Sequence, residues 1–328
     1  MSRGARLAAA AAGVALALAA PKLAPAIVTQ LAFLWVMVLF ALTWDVVGGQ
    51  MGYTSFGNIV FFGLGAYCAA VVQRDLGLGY FEGLAVGMAV AAVLAVAAAF
   101  VLGLGLLGIR GHYFAIGTLG LGIAAGEIAS GWDYVGAGSG MVTPLYPGPA
   151  GARDVFFYYY FLALAAACLL ILRRLYAGRF GLAINAIRDD EDKAEAMGLR
   201  TRRYKITAWC VSAFFLALTG AGVGHLIGFI DPRDVAFAGP TYGVWMVLMA
   251  ILGGSGTLWG PVLGAFVFHV TQELFWTYLL GWQRVALGLL IVIIVVFFPR
   301  GILGWARERW PERFGEVVEE GPQGGGGR

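Results

Sequence analysis

Charge is scarce in this sequence: 12% of its 328 residues are Asp, Glu, Lys or Arg, where a soluble domain carries about 25%. With 60% hydrophobic residues and a mean hydropathy of +0.81, that scarcity excludes an ordinary soluble enzyme and points to a chain that crosses a membrane many times. Lysine is scarcer still. It occurs at Lys22, Lys193 and Lys205, never after Gly, so no GxxxxGK[ST] phosphate loop is present. There is no HExxH helix and no nucleophile elbow either. Uphill work by such a chain must therefore draw on an ion gradient or on a partner that binds ATP. The three cysteines, Cys68, Cys168 and Cys210, sit apart in apolar runs, which predicts buried structural thiols rather than a metal or redox centre. The three histidines, His112, His225 and His269, lie on separate segments; packing or interface roles are expected, and no metal site.

What is abundant is glycine, at 50 residues. Small residues let membrane helices approach closely. The spacings Gly83/Gly87, Gly122/Gly126, Gly220/Gly224/Gly228 and Gly256/Gly260/Gly264 predict tight helix contacts. A span needs about 20 apolar residues. Ten candidates follow in order: Leu7–Ala20, Ile27–Val47, Gly57–Val72, Leu84–Leu107, Tyr113–Ala129, Val155–Leu172, Ile206–Ile230, Tyr242–Leu252, Val262–Leu280 and Val285–Phe298. The first ends at Pro21 and also reads as a cleavable signal peptide, which would leave nine. Trp132–Asp154, rich in Gly and Pro, predicts a surface loop with several turns, and the tail Pro311–Arg328 predicts disorder.

One charged island interrupts these runs. Arg173–Lys205 holds nine of the 22 Lys and Arg residues and five carboxylates, so it must lie in water, and its basic excess assigns that water to the cytoplasm. Alternating outward puts both termini inside, with 17 basic residues inside and 5 outside. Within the island, Asp189 to Asp192 precede Lys193–Met197, and Gly198 follows. Acidic residues suit the first turn of a helix and Gly the position after its last, so a short helix over Asp190–Met197 is predicted, preceded by a short amphipathic turn over Gly181–Arg188. Such a helix suits either a groove on a cytoplasmic partner or the bilayer surface.

Carboxylates at membrane depth mark pathways or helix–helix bonds. Asp45 lies near the inner end of its span and Glu127 near the outer end of its own; Glu273, beside Gln272, is assigned to helix–helix bonding. Gly48–Tyr67 and Gly253–Pro261 are polar, glycine-rich stretches set against apolar runs, as in the broken helices that build transporter sites. Asp45, Gln50, Ser55, Asn58 and Glu127 are the translocation-pathway candidates.

The same stretches carry a family resemblance. In Asp45–Tyr67, the residues Ser55, Gly57, Phe61, Phe62, Gly63, Gly65, Ala66 and Tyr67 are similar to the early segment of the membrane subunits of ATP-driven branched-chain amino acid importers, particularly the M-type permease. Gly181, Ala186-Ile187-Arg188, Ala194-Glu195-Ala196 and Gly198 resemble that family's cytoplasmic loop. Gly253-Gly254-x-Gly256-Thr257-x-Trp259-Gly260-Pro261 and Pro299-Arg300-Gly301 resemble later segments, so the likeness runs from about residue 40 to residue 304. Asp45, Tyr53 and Asn58 depart from the family pattern, where Asn, Gln and His are common, which leaves urea or amide permeases of the same superfamily as an alternative. The resemblance implies an all-α permease without catalysis or cofactor of its own, in a bacterial inner membrane. Implied partners are two ATPase subunits that bind the ATP, a second, non-identical permease and a periplasmic substrate-binding protein, with no nucleic acid. It makes Arg188, Asp190, Glu191, Glu195, Ala196 and Gly198 the ATPase-coupling candidates, within a permease domain of residues 1–304 and ahead of a tail of residues 305–328. The rival readings are an ion-coupled secondary transporter using Asp45, Glu127 and Glu273, and an intramembrane enzyme, for which the separated histidines offer no convergent site.

Overall fold

The computed structural model of the chain describes residues 3–149, 151–279, 281–282, 285, 288–289, 292 and 301–309. Lipid offers no partner to a backbone N–H or C=O, so apolar runs satisfy these groups internally as helices. Six long ones come first: α1 (Arg3–Leu23), α2 (Val28–Val47), α3 (Ile59–Leu76), α4 (Tyr80–Leu106), α5 (Gly111–Gly131) and α6 (Ala152–Tyr176). The charged island then forms α7 (Arg179–Asp189) and α8 (Glu191–Ala196), and α9 (Thr201–Ile227), α10 (Val244–Gly253), α11 (Gly260–Tyr278) and α12 (Gly301–Arg309) follow. Among the described residues seven stretches are long and apolar enough to cross a membrane: α2 with its entry turn, α3, α4, α5, α6, α9, and Pro232–Gly253, in which two turns of π-helix lead into α10. At 27 residues each, α4 and α9 rise about 40 Å. The chain is thus an all-α polytopic membrane protein.

The expected first span, Leu7–Ala20, lies within α1, a single helix over Arg3–Leu23, and Pro21 does not end it. Proline supplies no N–H to the carbonyl four residues back, which here is Ala17. The Tyr158 hydroxyl donates to that carbonyl at 2.6 Å, and Tyr159 donates to the Leu18 carbonyl at 2.9 Å. Tyr158 of α6 thus satisfies the one carbonyl that the proline would otherwise orphan. The expected span Val285–Phe298 lies largely outside the described residues, and the tail Pro311–Arg328 wholly so.

At the centre of the bundle is α9, packed on α3, α4 and α2. The approach of α3 to α9 depends on glycine. A Cβ on Gly65 would collide with the Ala217 carbonyl, and one on Gly220 with the Phe62 carbonyl. Gly87 is less tight against the Ala69 backbone, where an added Cβ would come to 2.9 Å, and Gly122 and Gly126 bring α5 in still less tightly: an added Cβ would meet Ile59 at 3.5 Å and Phe237 at 3.3 Å. Two of the three histidines bond helices together. His225 meets Gln73 of α3 at 2.6 Å, and His269 of α11 meets the Gln30 carbonyl of α2 at 2.9 Å. The helix–helix bond expected of Glu273 is therefore supplied one turn earlier on α11, by His269. Cys68, Cys168 and Cys210 are free thiols. The segment Trp132–Asp154 is more than a run of turns, because Met141–Val142 pairs antiparallel with Phe229–Ile230 at the exit of α9.

Candidate functional site: the charged-loop end of the bundle

The island folds as its end signals dictate. Asp190, in extended conformation, accepts a hydrogen bond from the Lys193 amide at 3.0 Å and so caps α8, and Gly198 stands after the helix at φ +87°. The amphipathic segment before it is longer than Gly181–Arg188, extending from Arg179 to Asp189 as α7. One side of α8 faces the bundle through Ala194 and Glu191; the other presents Lys193, Glu195, Ala196 and Met197, the last 88% exposed. An open cleft of ≈ 480 Å³, lined by Met197, Gly198, Leu199, Arg200, Arg203 and Tyr204, adjoins this outer side.

What holds the inner side is an ionic cluster. The Lys205 ammonium, on the second turn of α9, lies 2.7 Å from Glu191 Oε1, with side-chain exposures of 5% and 9%. It also donates to the Leu107 carbonyl at 2.6 Å and to the Tyr53 hydroxyl at 3.0 Å. An ammonium has three N–H groups, and all three are used. The Tyr53 hydroxyl in turn donates to Glu191 Oε2, and Arg110 reaches Glu191 at 3.3 Å and Asp192 at 2.7 Å. Burial by itself would raise the Glu191 pKa, but the hydrogen bonds from Lys205 and Tyr53 and the Arg110 charge outweigh it and hold the carboxylate below its ordinary range. The Tyr53 phenol is pushed up, first by burial and then by the Glu191 carboxylate. Four segments meet at this point: α8, α9, the α4–α5 turn and residues 48–58.

From Ile59 on, the first glycine-rich stretch, Gly48–Tyr67, forms the start of α3, and only its residues 48–58 are non-helical. The second, between α10 and α11, lies directly against them. Asp45, near the end of α2, accepts from the Gly256 amide at 2.8 Å across 211 residues of sequence, and Gln50 adds a side-chain hydrogen bond to the same carboxylate. A Cβ on Gly49 would strike the Asp45 carboxylate and come within 2.5 Å of the Gly256 nitrogen, so only glycine permits this approach. Arg188 of α7 lies over both turns: a Cβ on Gly52 would meet its Cγ at 3.0 Å, and one on Gly256 its Nη1 at 3.2 Å. Farther in, Asn58 Oδ1 accepts from Trp209 Nε1 at 3.0 Å and its amide donates to Ser212 at 3.3 Å. The Ser55 carbonyl accepts from Trp44 Nε1 at 2.7 Å, while the Ser55 hydroxyl is buried and has no partner among the described residues.

The structure therefore brings Asp45, Gln50, Ser55 and Asn58 together in the interior at the charged-loop end, next to Arg188, Asp190 and Glu191. Glu195 is joined to Thr201 by a hydroxyl hydrogen bond, and Ala196 is exposed. Glu127 stands apart, at the opposite end of the bundle, paired with Arg233 at 2.8 Å. Two residues of the cluster, Arg110 and Lys205, escape a sequence reading, and Tyr53 stands out there only as a departure from the family pattern. For Lys205 one signal exists, since it is a rare lysine followed at once by the apolar run of α9.

Residues 26–296 match the family described as branched-chain amino acid transport system / permease component. The chain is 28% identical over 299 residues to the high-affinity branched-chain amino acid transport system permease protein LivM of Escherichia coli, covering 83% of this chain and 68% of the relative. It is 27% identical over 312 residues to LivM of Salmonella typhimurium, covering 87% and 72%. A shorter stretch, 127 residues at 28% identity, is shared with the permease protein LivH of Salmonella typhimurium, covering 38% and 40%. No solved structure matches the chain.

Proposed function

Because the chain belongs to the branched-chain amino acid transport permease family, we propose that it is the membrane-spanning subunit of an ATP-driven importer that carries branched-chain amino acids across a bacterial inner membrane. The substrate is the one named for the relatives matched over most of the chain. Two ATPase subunits supply the energy, a second permease related to LivH completes the membrane unit, and a periplasmic binding protein delivers the substrate. The charged-loop end is cytoplasmic, in keeping with its excess of basic residues. The chain passes the bilayer about ten times, with both termini inside.

The observation that carries this reading is the two-sided character of α8. A capped helix is fixed to the bundle on one side by a buried ion pair and is open to solvent on the other, beside a cleft. That arrangement suits a coupling helix, in which movement of a docked ATPase is received on the open side and delivered through the fixed one. Transport then follows as a shift between inward- and outward-open states, which requires a partner with different contacts in each. The outward faces of α4 and α5 are both largely apolar: α4 carries Val93, Leu94, Phe100 and Val101, and α5 carries Ile116, Ile123 and Ile128 beside Gly120, Ala124 and Glu127. Asp45, Gln50, Ser55 and Asn58 are assigned to the inner end of the pathway and Glu127 to its mouth.

Reconstitution tests this. In proteoliposomes holding the whole transporter, leucine uptake is expected to need ATP, both ATPases and the binding protein. Uptake that survives without ATPase and collapses with an uncoupler would establish ion-coupled transport instead, and uptake of urea or amides but not of leucine would move the substrate. Met197→Cys should react with an impermeant maleimide from the ATPase side; reaction from the other side would invert the topology.

A further inference from the structure

Lys205 carries an interaction that orientation and family resemblance leave unexplained. A lysine at the edge of a membrane helix ordinarily extends its head toward water. This one is turned inward, 4% exposed, and spends all three of its N–H groups on different segments: Glu191 of α8, Leu107 at the end of α4, and Tyr53 between α2 and α3. A cation placed only to hold the fold is a poor choice, because a well-packed apolar pair is commonly as stable as a buried ion pair. What a buried ion pair adds in some proteins is a fixed register between the parts it joins. The part joined here is α8, and the segment on the far side of the joint is the glycine-rich turn of residues 48–58, which leads through Asp45 to the Gly256 amide of the second glycine-rich turn. The remaining charged and titratable groups at the joint are Arg110, bonded to Glu191 and Asp192, and the Tyr53 phenol, whose ring also lies under the ammonium at 4.8 Å.

We propose that Lys205 is a positioning residue for transport, the hub of a Lys205–Glu191–Tyr53 clamp that ties α8 to residues 48–58, so that displacement of α8 moves the broken inner segments. This rests on the reading of α8 as the element that receives the partner ATPase, and it adds the route by which that movement enters the bundle. In this route α8 and the turn move as one body. The Asp45–Gly256 bond carries the displacement on to α10 and α11, and Arg188, lying over Gly52 and Gly256, keeps the two turns in contact.

The test uses the whole transporter in proteoliposomes, reading leucine transported per ATP hydrolysed. Lys205→Met strands Glu191 and threatens assembly, so the informative variant is the double Lys205→Met/Glu191→Met, which removes both charges and leaves an apolar contact. It is expected to assemble, with a melting midpoint between those of the parent protein and Lys205→Met, yet to transport at least tenfold fewer leucine molecules per ATP. Tyr53→Phe, which cuts the tie to residues 48–58 and leaves the Lys205–Glu191 pair, is expected to lower the ratio in the same direction. An assembled double variant with parental coupling would overturn the clamp, as would a Tyr53→Phe variant with parental coupling. Ala196→Trp, on the open side of α8, separates the two readings. If it too leaves coupling unchanged, the role of α8 itself falls; if it uncouples while the double apolar variant couples normally, only the clamp falls.

Discussion

Two ion pairs of nearly equal length stand at opposite ends of this molecule and differ in almost everything else. Lys205–Glu191, at 2.7 Å, is sealed, with side-chain exposures of 5% and 9%. Arg233–Glu127, at 2.8 Å, is open, at 64% and 58%. Coulomb attraction at a given distance scales inversely with the local dielectric, so the sealed pair interacts far more strongly and would leave a far costlier remainder if broken. The open pair is screened by solvent and holds little. The sealed pair therefore fixes where α8 lies, whereas Glu127 and Arg233 are free to exchange partners, which suits residues at the mouth of a pathway.

The comparison can be broken at either end. Lys205→Met should have the largest effect, destabilising the protein by about 3 kcal/mol, toward the low end of what a stranded buried charge costs because Arg110 stays beside Glu191; thermal unfolding in detergent would show it, and an unchanged midpoint would mean the pair is not sealed in solution. Tyr53→Phe should come next, at about 1–2 kcal/mol, since the lost hydroxyl accepts from Lys205 and donates to Glu191. Acid should act on the same pair. Because the Glu191 pKa is depressed in the folded protein, its contribution is complete above the unfolded value of about 4.3 and is lost as pH falls through the lower, folded one. The gap in unfolding temperature between the parent protein and Glu191→Gln should thus stay constant from pH 8 to about 5 and narrow only below about 4; a gap that widened on acidification would reverse the assignment. Glu127→Gln should be the mildest, at most about 0.5–1 kcal/mol in stability, with any larger change confined to transport. A loss of stability matching that of Lys205→Met would erase the distinction between the two ends.

Much of the fold is legible in local signals. Runs of about 20 apolar residues mark helices, and Asp190 with Gly198 marks both ends of α8, because capping and hydropathy act within a few residues. Glycine spacing identifies Gly220 as a contact correctly but places Gly122 and Gly126 on the same footing, although α5 is held more loosely. Pro21 reads as a helix end because its missing N–H is local, while the Tyr158 hydroxyl that compensates arrives from α6. Arg188 enters as an ATPase-coupling candidate by resemblance, and no local signal shows that its alkyl chain lies over Gly52.

The sequence by itself determined that this chain crosses a membrane as helices, that its charge is concentrated in one island, and that the island contains a short capped helix. These follow from hydropathy, net charge and caps, all of which act locally along the chain. Only the tertiary structure decided which basic member of the island leaves water. Lys205 is one of nine basic residues there, marked in sequence only as a rare lysine before an apolar run, and it is buried because Glu191, Tyr53 and Leu107 come to it from three other segments. An ammonium leaves water only where each of its protons has an acceptor, and that condition is met by assembly in three dimensions.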